Sequence, residues 1–289
     1  MELLQRAQTT FAAMLRHALL HIRDFAIWEF SLYVIASLAA FAAITYFADR
    51  GLRRYFLRAH QPLGGQRPRE VRDSLLSIAT YSTVQLAARV IAFGLGYIVA
   101  VDRHMPLWAT LLTFPFIVVV HDTYFYWTHR LMHLPALYRF FHWEHHKSRE
   151  PTVFAAYSFS IPEAMIHGSF VMFYIFLLPG TIATIIFFYV FEVAWAVYVH
   201  SGVDFVPKSW VIGRFGWLCS STYHDLHHRT ARGNYSLYLR LWDRIMKTQN
   251  PAFERIFEYV RSPENDGHAY RLLNRERPAP EPARTLEIA

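Results

Sequence analysis

The stretch IWEFSLYVIASLAAFAAITYFA, from Ile27 to Ala48, carries a single charged residue, Glu29, at its end, where the cost of a charge is small. A run of this kind matches the ~20 apolar residues a helix needs to cross a bilayer. Lipid offers no partner for backbone N–H and C=O groups, so a single run of this kind must be a helix. A second run extends from Ser74 to Val101 with Arg89 inside it, placed to snorkel or to face the bundle. A third starts near Leu107 and enters FPFIVVVHDTYFYW. A fourth and fifth occupy Ile166 to Val199, interrupted at Pro179 and Gly180, which reads as a helical hairpin or a re-entrant pair. Four or five membrane helices predict the fold class: an all-α, multi-pass membrane bundle.

Basic residues set the expected orientation. Arg50, Arg53, Arg54, Arg58, Arg67, Arg69 and Arg72 follow the first run, whereas the loop DRHMP between the second and third is short. Segments 128–160 and 207–275 are basic again. This places the amino terminus outside, and the histidine-rich segments and carboxyl end on the cytoplasmic side. Residues 1–26 carry Leu4, Phe11, Leu15, Ala18, Ile22 and Phe25 at helical spacing, interrupted by Arg6, Arg16 and Arg23, as in an amphipathic interfacial helix. The expected divisions are 1–26, the membrane helices and basic loop of 27–106, a catalytic domain over 107–262 with a last amphipathic helix at 252–262, and a Pro-rich, disordered tail over 263–289. The net charge of +7 suits a nucleic-acid surface or a cytoplasmic membrane face, and 54% hydrophobic residues favour the membrane, with no nucleic-acid partner. Cys219, the only cysteine, excludes a disulfide scaffold and a cysteine-rich zinc module.

Against this apolar background stand 16 histidines. HRLMH places His129 and His133 at i, i+4. HWEHH places His142, His145 and His146 at i, i+3, i+4, and HDLHH does the same for His224, His227 and His228. His200 ends the last apolar run. On a helix each set presents its rings to one side. Charged together these rings would repel, and buried neutral rings need partners for an N–H and a lone pair each. Divalent metal resolves both problems, and nine imidazoles suit two ions with about four ligands each. Imidazole serves iron, zinc, copper and nickel alike. The zinc-protease pattern H-E-x-x-H is absent, since Arg130, Trp143 and Asp225 follow the first histidine of each set.

HDTYFYWTHRLMH, YRFFHWEHHKSREPTVFAAYSF, HSG and STYHDLHHR, with NYSLYLRLWDRIMKT further on, resemble the fatty acid hydroxylase/sterol desaturase superfamily. EPTVFAAYSF is most similar to its sterol-desaturase branch. The resemblance implies a membrane oxygenase with two non-haem Fe ions, zinc being the substitute to consider, that uses O₂ and two electrons to hydroxylate or desaturate a membrane lipid. It also implies a separate electron donor, a ferredoxin or a cytochrome with its reductase. Asp122, Glu163 and Asp225 are the candidates to hydrogen-bond the far nitrogens of the ligand rings, while Glu144 reads as a solvated surface acid. Tyr124, Phe125, Tyr126 and Trp127 read as an interfacial belt or a lipid channel wall. Ser160 and Ala196 stand where relatives often carry further histidines. A dimetal lipid hydrolase and a non-catalytic metal-binding membrane protein remain as alternatives. The lipid, and the choice between hydroxylation and desaturation, stay open.

Overall fold

The computed structural model describes residues 2–48, 55–57, 65–94, 106–170, 172–173, 182–213, 216–266 and 269. Among them there is no β-strand. Two isolated antiparallel bridges, Phe56 with Val203 and Leu218 with Leu239, are the only extended pairings in these residues. Four long helices form the frame: α1 (Glu2–Ala48), α2 (Gln66–Gly94), α3 (Leu107–Met132) and α7 (Ile182–His200). Each contains a segment long and apolar enough to cross a membrane, over 26–47, 66–92, 107–132 and 183–200. α1 packs on α2 and α7, and α3 packs on α7. Large apolar side chains point away from the bundle, with Leu107, Trp108, Leu111 and Leu112 on α3 each more than 60% exposed. Such a face is at home in hydrocarbon rather than in water.

α1 runs without a break through both the segment expected to lie in the interface and the first span. The Pro179–Gly180 break, Arg50, Arg53, Arg54 and Arg58 of the basic loop, and residues 270–289 lie outside the described residues.

Beyond α3 the helices become short and form a cap. α4 (Pro135–Phe141) starts on a proline, whose missing N–H costs nothing at a first helical position. α5 (Trp143–His146) follows directly, then a 3₁₀ turn over Val153–Tyr157 and α6 (Ile161–Gly168). Ser160 caps α6 by accepting the Glu163 N–H at 3.2 Å. After α7 come α8 (Lys208–Val211), α9 (Ser221–Thr230), α10 (Leu241–Ile245) and α11 (Phe253–Val260). α11 buries Phe253, Ile256, Phe257 and Val260, the i, i+3, i+4, i+7 stripe of an amphipathic helix, in the cluster that holds Tyr223 and Leu226 of α9. The start of α2 is tied to the loop after α5 by the buried Glu70. Its carboxylate accepts from Gln66 at 2.8 Å and Ser148 at 2.7 Å, and also from the Thr152 hydroxyl. The cap is thereby pinned to the ends of α3 and α7, where the histidines sit.

Candidate metal centre

Nine histidines come from the end of α3, the α4–α5 corner, the end of α7 and the whole of α9. Their rings fall into two adjacent groups: His129, His133, His142, His146 and His227 in one, and His145, His200, His224 and His228 in the other. Within each group one nitrogen from every ring lies within 4.8 Å of all the others. The sequence sets do not map onto these groups one to one. Residues at i and i+4 stay together, as in His142 with His146 and His224 with His228. Consecutive residues differ by about 100° around a helix axis, so His145 diverges from His146, and His227 from His228. Each H-x-x-H-H set therefore feeds both groups, and the rings of His146 and His228 meet with centroids 4.8 Å apart.

The outer nitrogens determine what the inner ones are. His129 Nδ1 donates to Tyr235 O at 2.7 Å, His227 Nδ1 to Gly233 O at 2.7 Å, and His200 Nδ1 to Ala196 O at 2.7 Å. His145 and His228 donate to Ser158 O and Ser148 O at 3.1 and 3.0 Å. His142 Nδ1 meets Glu163 Oε1 at 2.5 Å. A backbone carbonyl only accepts, so Nδ1 of His129, His145, His200, His227 and His228 carries the proton and Nε2 of each presents a lone pair. The Nε2 atoms of facing rings stand 2.9 Å apart for His129–His142, 3.0 Å for His146–His227 and 3.0 Å for His200–His224, and in His145–His200 two lone pairs face each other at 3.4 Å. Two lone pairs cannot share a hydrogen bond. Nitrogens ~2.1 Å from a common ion stand roughly 3.0 Å apart at a right angle and about 3.4 Å at a tetrahedral one. The spacing and the tautomers both fit a cation at the focus of each group.

Burial reinforces this state. His142, His145, His146, His224 and His228 are held well below the ordinary imidazole pKa, first by desolvation and then by neighbouring rings. Desolvation, with the repulsion of His227, takes His133 down to about 2, and desolvation takes His227 to about 4. Neutral imidazole is the ligand form.

Of the three acids expected beside the rings, Glu163 reaches one, His142. Asp122 turns elsewhere: it accepts the backbone N–H groups of Leu237 at 3.1 Å and Tyr238 at 2.7 Å. The apolar helix that buries Asp122 faces the loop after α9, whose unpaired amides are the nearest donors. Asp225 is fully buried on α9. Glu144 is half-buried, in an ion pair with Lys147. His121 is hydrogen-bonded to Tyr238 at 3.0 Å and lies edge-on to Phe170.

Two residues of the centre escaped sequence reading. Asp243 accepts the N–H of Tyr235 at 3.0 Å and of Ser236 at 2.8 Å, anchoring the loop whose carbonyls hold His129 and His227. Its signal was an isolated acid in LWDRI. Gly233 has φ +70°, and a Cβ there would stand 2.3 Å from Thr248 O, so only glycine lets its carbonyl reach His227.

A cavity opens from the histidines into the helix bundle. His129, His142, His145, His200 and His224 line one end, and Phe125, Phe159, Phe170 and Phe188 contribute apolar wall. Glu29 and Glu192 line it as well. Glu29, expected at the membrane edge where a charge costs little, is instead 1% exposed inside the bundle.

The family model described as Fatty acid hydroxylase matches residues 114–248, the stretch that carries all nine histidines. A Delta(7)-sterol 5(6)-desaturase of Leptosphaeria maculans is 30% identical over 52% of this chain and 40% of its own length. A Delta(7)-sterol 5(6)-desaturase of Aspergillus fumigatus is 28% identical over 76% of this chain and 62% of its own. Cholesterol 25-hydroxylase of Homo sapiens is 33% identical over 47% of this chain and 51% of its own. The chain thus spans between 40% and 62% of the length of these three relatives. No solved structure matches. The histidine sets, the all-helical fold and these similarities agree in making residues 114–248 similar to the fatty acid hydroxylase/sterol desaturase superfamily.

Proposed function

We propose that the protein is an integral-membrane oxidoreductase that hydroxylates or desaturates a sterol-like or acyl lipid with O₂. The observation that carries this reading is the convergence of nine imidazoles on two foci beside an apolar cavity between candidate membrane helices. The relatives named as sterol desaturases and a cholesterol hydroxylase support the same class of reaction.

The two histidine groups are the ligands for a pair of iron ions, which when bound supply O₂ activation and the oxidising power to break an unactivated C–H bond. The chain's own residues do the rest. Backbone carbonyls of Ser148, Ser158, Ala196, Gly233 and Tyr235 fix the ring tautomers and their aim. Glu163 holds His142 through its Nδ1 and makes that ring more basic. The phenylalanine wall excludes water and seats the hydrocarbon beside the histidines. The cytoplasmic side is the proposed location of the histidines, supported by the basic segments 128–160 and 207–275, which also suit an acidic electron carrier.

Metal analysis with O₂ uptake tests the reading. Protein purified anaerobically from iron-replete cells is expected to hold close to two iron ions per chain and, given reductant, to consume O₂ when lipid is added. Zinc alone, with no lipid-dependent O₂ uptake, would refute it.

A further inference from the structure

Two carboxylates inside the bundle are used by none of the residues that build the histidine centre. Glu29, near the start of the first span, is 1% exposed, and its Oε2 has no hydrogen-bond partner among the described residues. Glu192, in the middle of α7, accepts a hydrogen bond from the Tyr157 hydroxyl. Neither forms an ion pair with a described lysine, arginine or histidine. Both line the cavity that the histidines open into. An ionisable group within a membrane helix is costly and is retained where it meets a partner. Among the described residues neither acid has an ion-pair partner, and the free space beside the two acids is the cavity itself.

We propose that Glu29 and Glu192 form the head-group site of the lipid cavity, binding a substrate whose polar end donates hydrogen bonds: a hydroxyl or a protonated amine. The inference rests on the reading of the cavity as a lipid site. Glu192 and His200 are eight residues apart on α7, about 12 Å along the helix axis at 1.5 Å per residue. A lipid held by its head at the acids therefore presents to the histidines a carbon about that far from the head, rather than the carbon that bears it. Phe125, Phe159, Phe170 and Phe188 of the cavity wall accept hydrocarbon.

Binding of octadecane, octadecan-1-ol and octadecylamine to the delipidated, metal-loaded protein, followed by native mass spectrometry, tests the site without turnover. The wild type is expected to bind at least one headed probe at least tenfold more tightly than octadecane. Glu29→Leu and Glu192→Leu are expected to erase that preference while keeping wild-type metal content. Glu29→Gln and Glu192→Gln separate the two heads: an amine site loses its preference, whereas a hydroxyl site retains most of it through the amide oxygen. Equal binding of all three probes by the wild type overturns the proposal, and that comparison needs no variant to fold. Undiminished preference in the leucine variants overturns it as well. Because no oxidation is measured, a protein that lacked oxygenase activity would still report on this site.

Discussion

Glu163 offers the sharpest test of how the protein supports its histidines. Its Oε1 lies 2.5 Å from His142 Nδ1, and both side chains are buried, at 0% and 2% exposure. The sequence Ser160-Ile-Pro-Glu163 is the pattern of a capping box, in which the glutamate would fold back on the serine N–H. Here Ser160 caps the helix and donates its own hydroxyl to Phe141 O at 2.5 Å, while the Glu163 carboxylate is turned to the ring instead. Replacing Glu163 by alanine removes a charge-assisted hydrogen bond, worth about 1.5–3 kcal/mol. At 1.4 kcal/mol per decade this is roughly a 10- to 150-fold loss of metal affinity. Outer partners of metal-bound histidines show losses of ~10–100-fold. Glu163→Gln keeps an acceptor oxygen at the same reach and loses only the charge, so its effect is expected to be smaller, about fivefold for ~1 kcal/mol.

Iron affinity measured by competition with a chelator reads these changes. Thermal unfolding of the metal-free protein supplies a readout that a merely structural role would move differently. Burial raises the Glu163 carboxyl well above its usual range, so without metal the charged form is a burden to the fold. The metal-free Glu163→Gln protein is therefore expected to melt at or above the wild-type midpoint, even as its metal affinity falls. Wild-type metal affinity in Glu163→Ala would refute the positioning role. So would a metal-free Glu163→Gln protein destabilised in step with its affinity.

His145→Ala and His227→Ala each remove one ring from a different group and are expected to lower bound iron by at least one ion per chain and to abolish lipid oxidation; full activity in either would sink the grouping. Acid should destabilise the metal-free protein below pH ~6.5, because the unfolded chain then takes up protons that the folded rings refuse. Stability is full above that pH and falls by ~1.4 kcal/mol per pH unit for each such ring, down to about 4 for His227 and about 2 for His133. Thermal melts between pH 7.5 and 5 check the sign. Gly233→Ala forces a side chain at φ +70° against Thr248 O and is expected to cost ~1–3 kcal/mol, read as a lower melting midpoint together with weaker metal binding through His227. Removing metal with a chelator should lower the melting midpoint of the wild type and should lower that of His227→Ala by less, since only the group of His145, His200, His224 and His228 is intact there.

The apolar runs and the histidine sets were legible in the sequence because each answers to a local rule. A span must be ~20 apolar residues, and rings four apart must share a face. Ile27–Ala48 and the pairs His129–His133, His142–His146 and His224–His228 all obey such rules within a single segment. The partition into five and four did not follow from any one segment. It depends on how α3, α5, α7 and α9 are turned toward one another, and on the ~100° step that sends His145 and His146 to different foci. The supporting acids were harder still. Asp122 and Asp243 act on one loop from helices 121 residues apart, and their roles exist only once Tyr235 and Leu237 have been brought between them. Glu29 was misjudged for the same reason. Position along a span predicts a cheap interfacial charge, but cost depends on which face of the helix the carboxylate occupies. Face is settled by packing against α2 and α7. Residues proposed to bind a metal thus advertise themselves by spacing. Residues whose job is to aim those ligands, or to meet a substrate, show only when the helices are assembled.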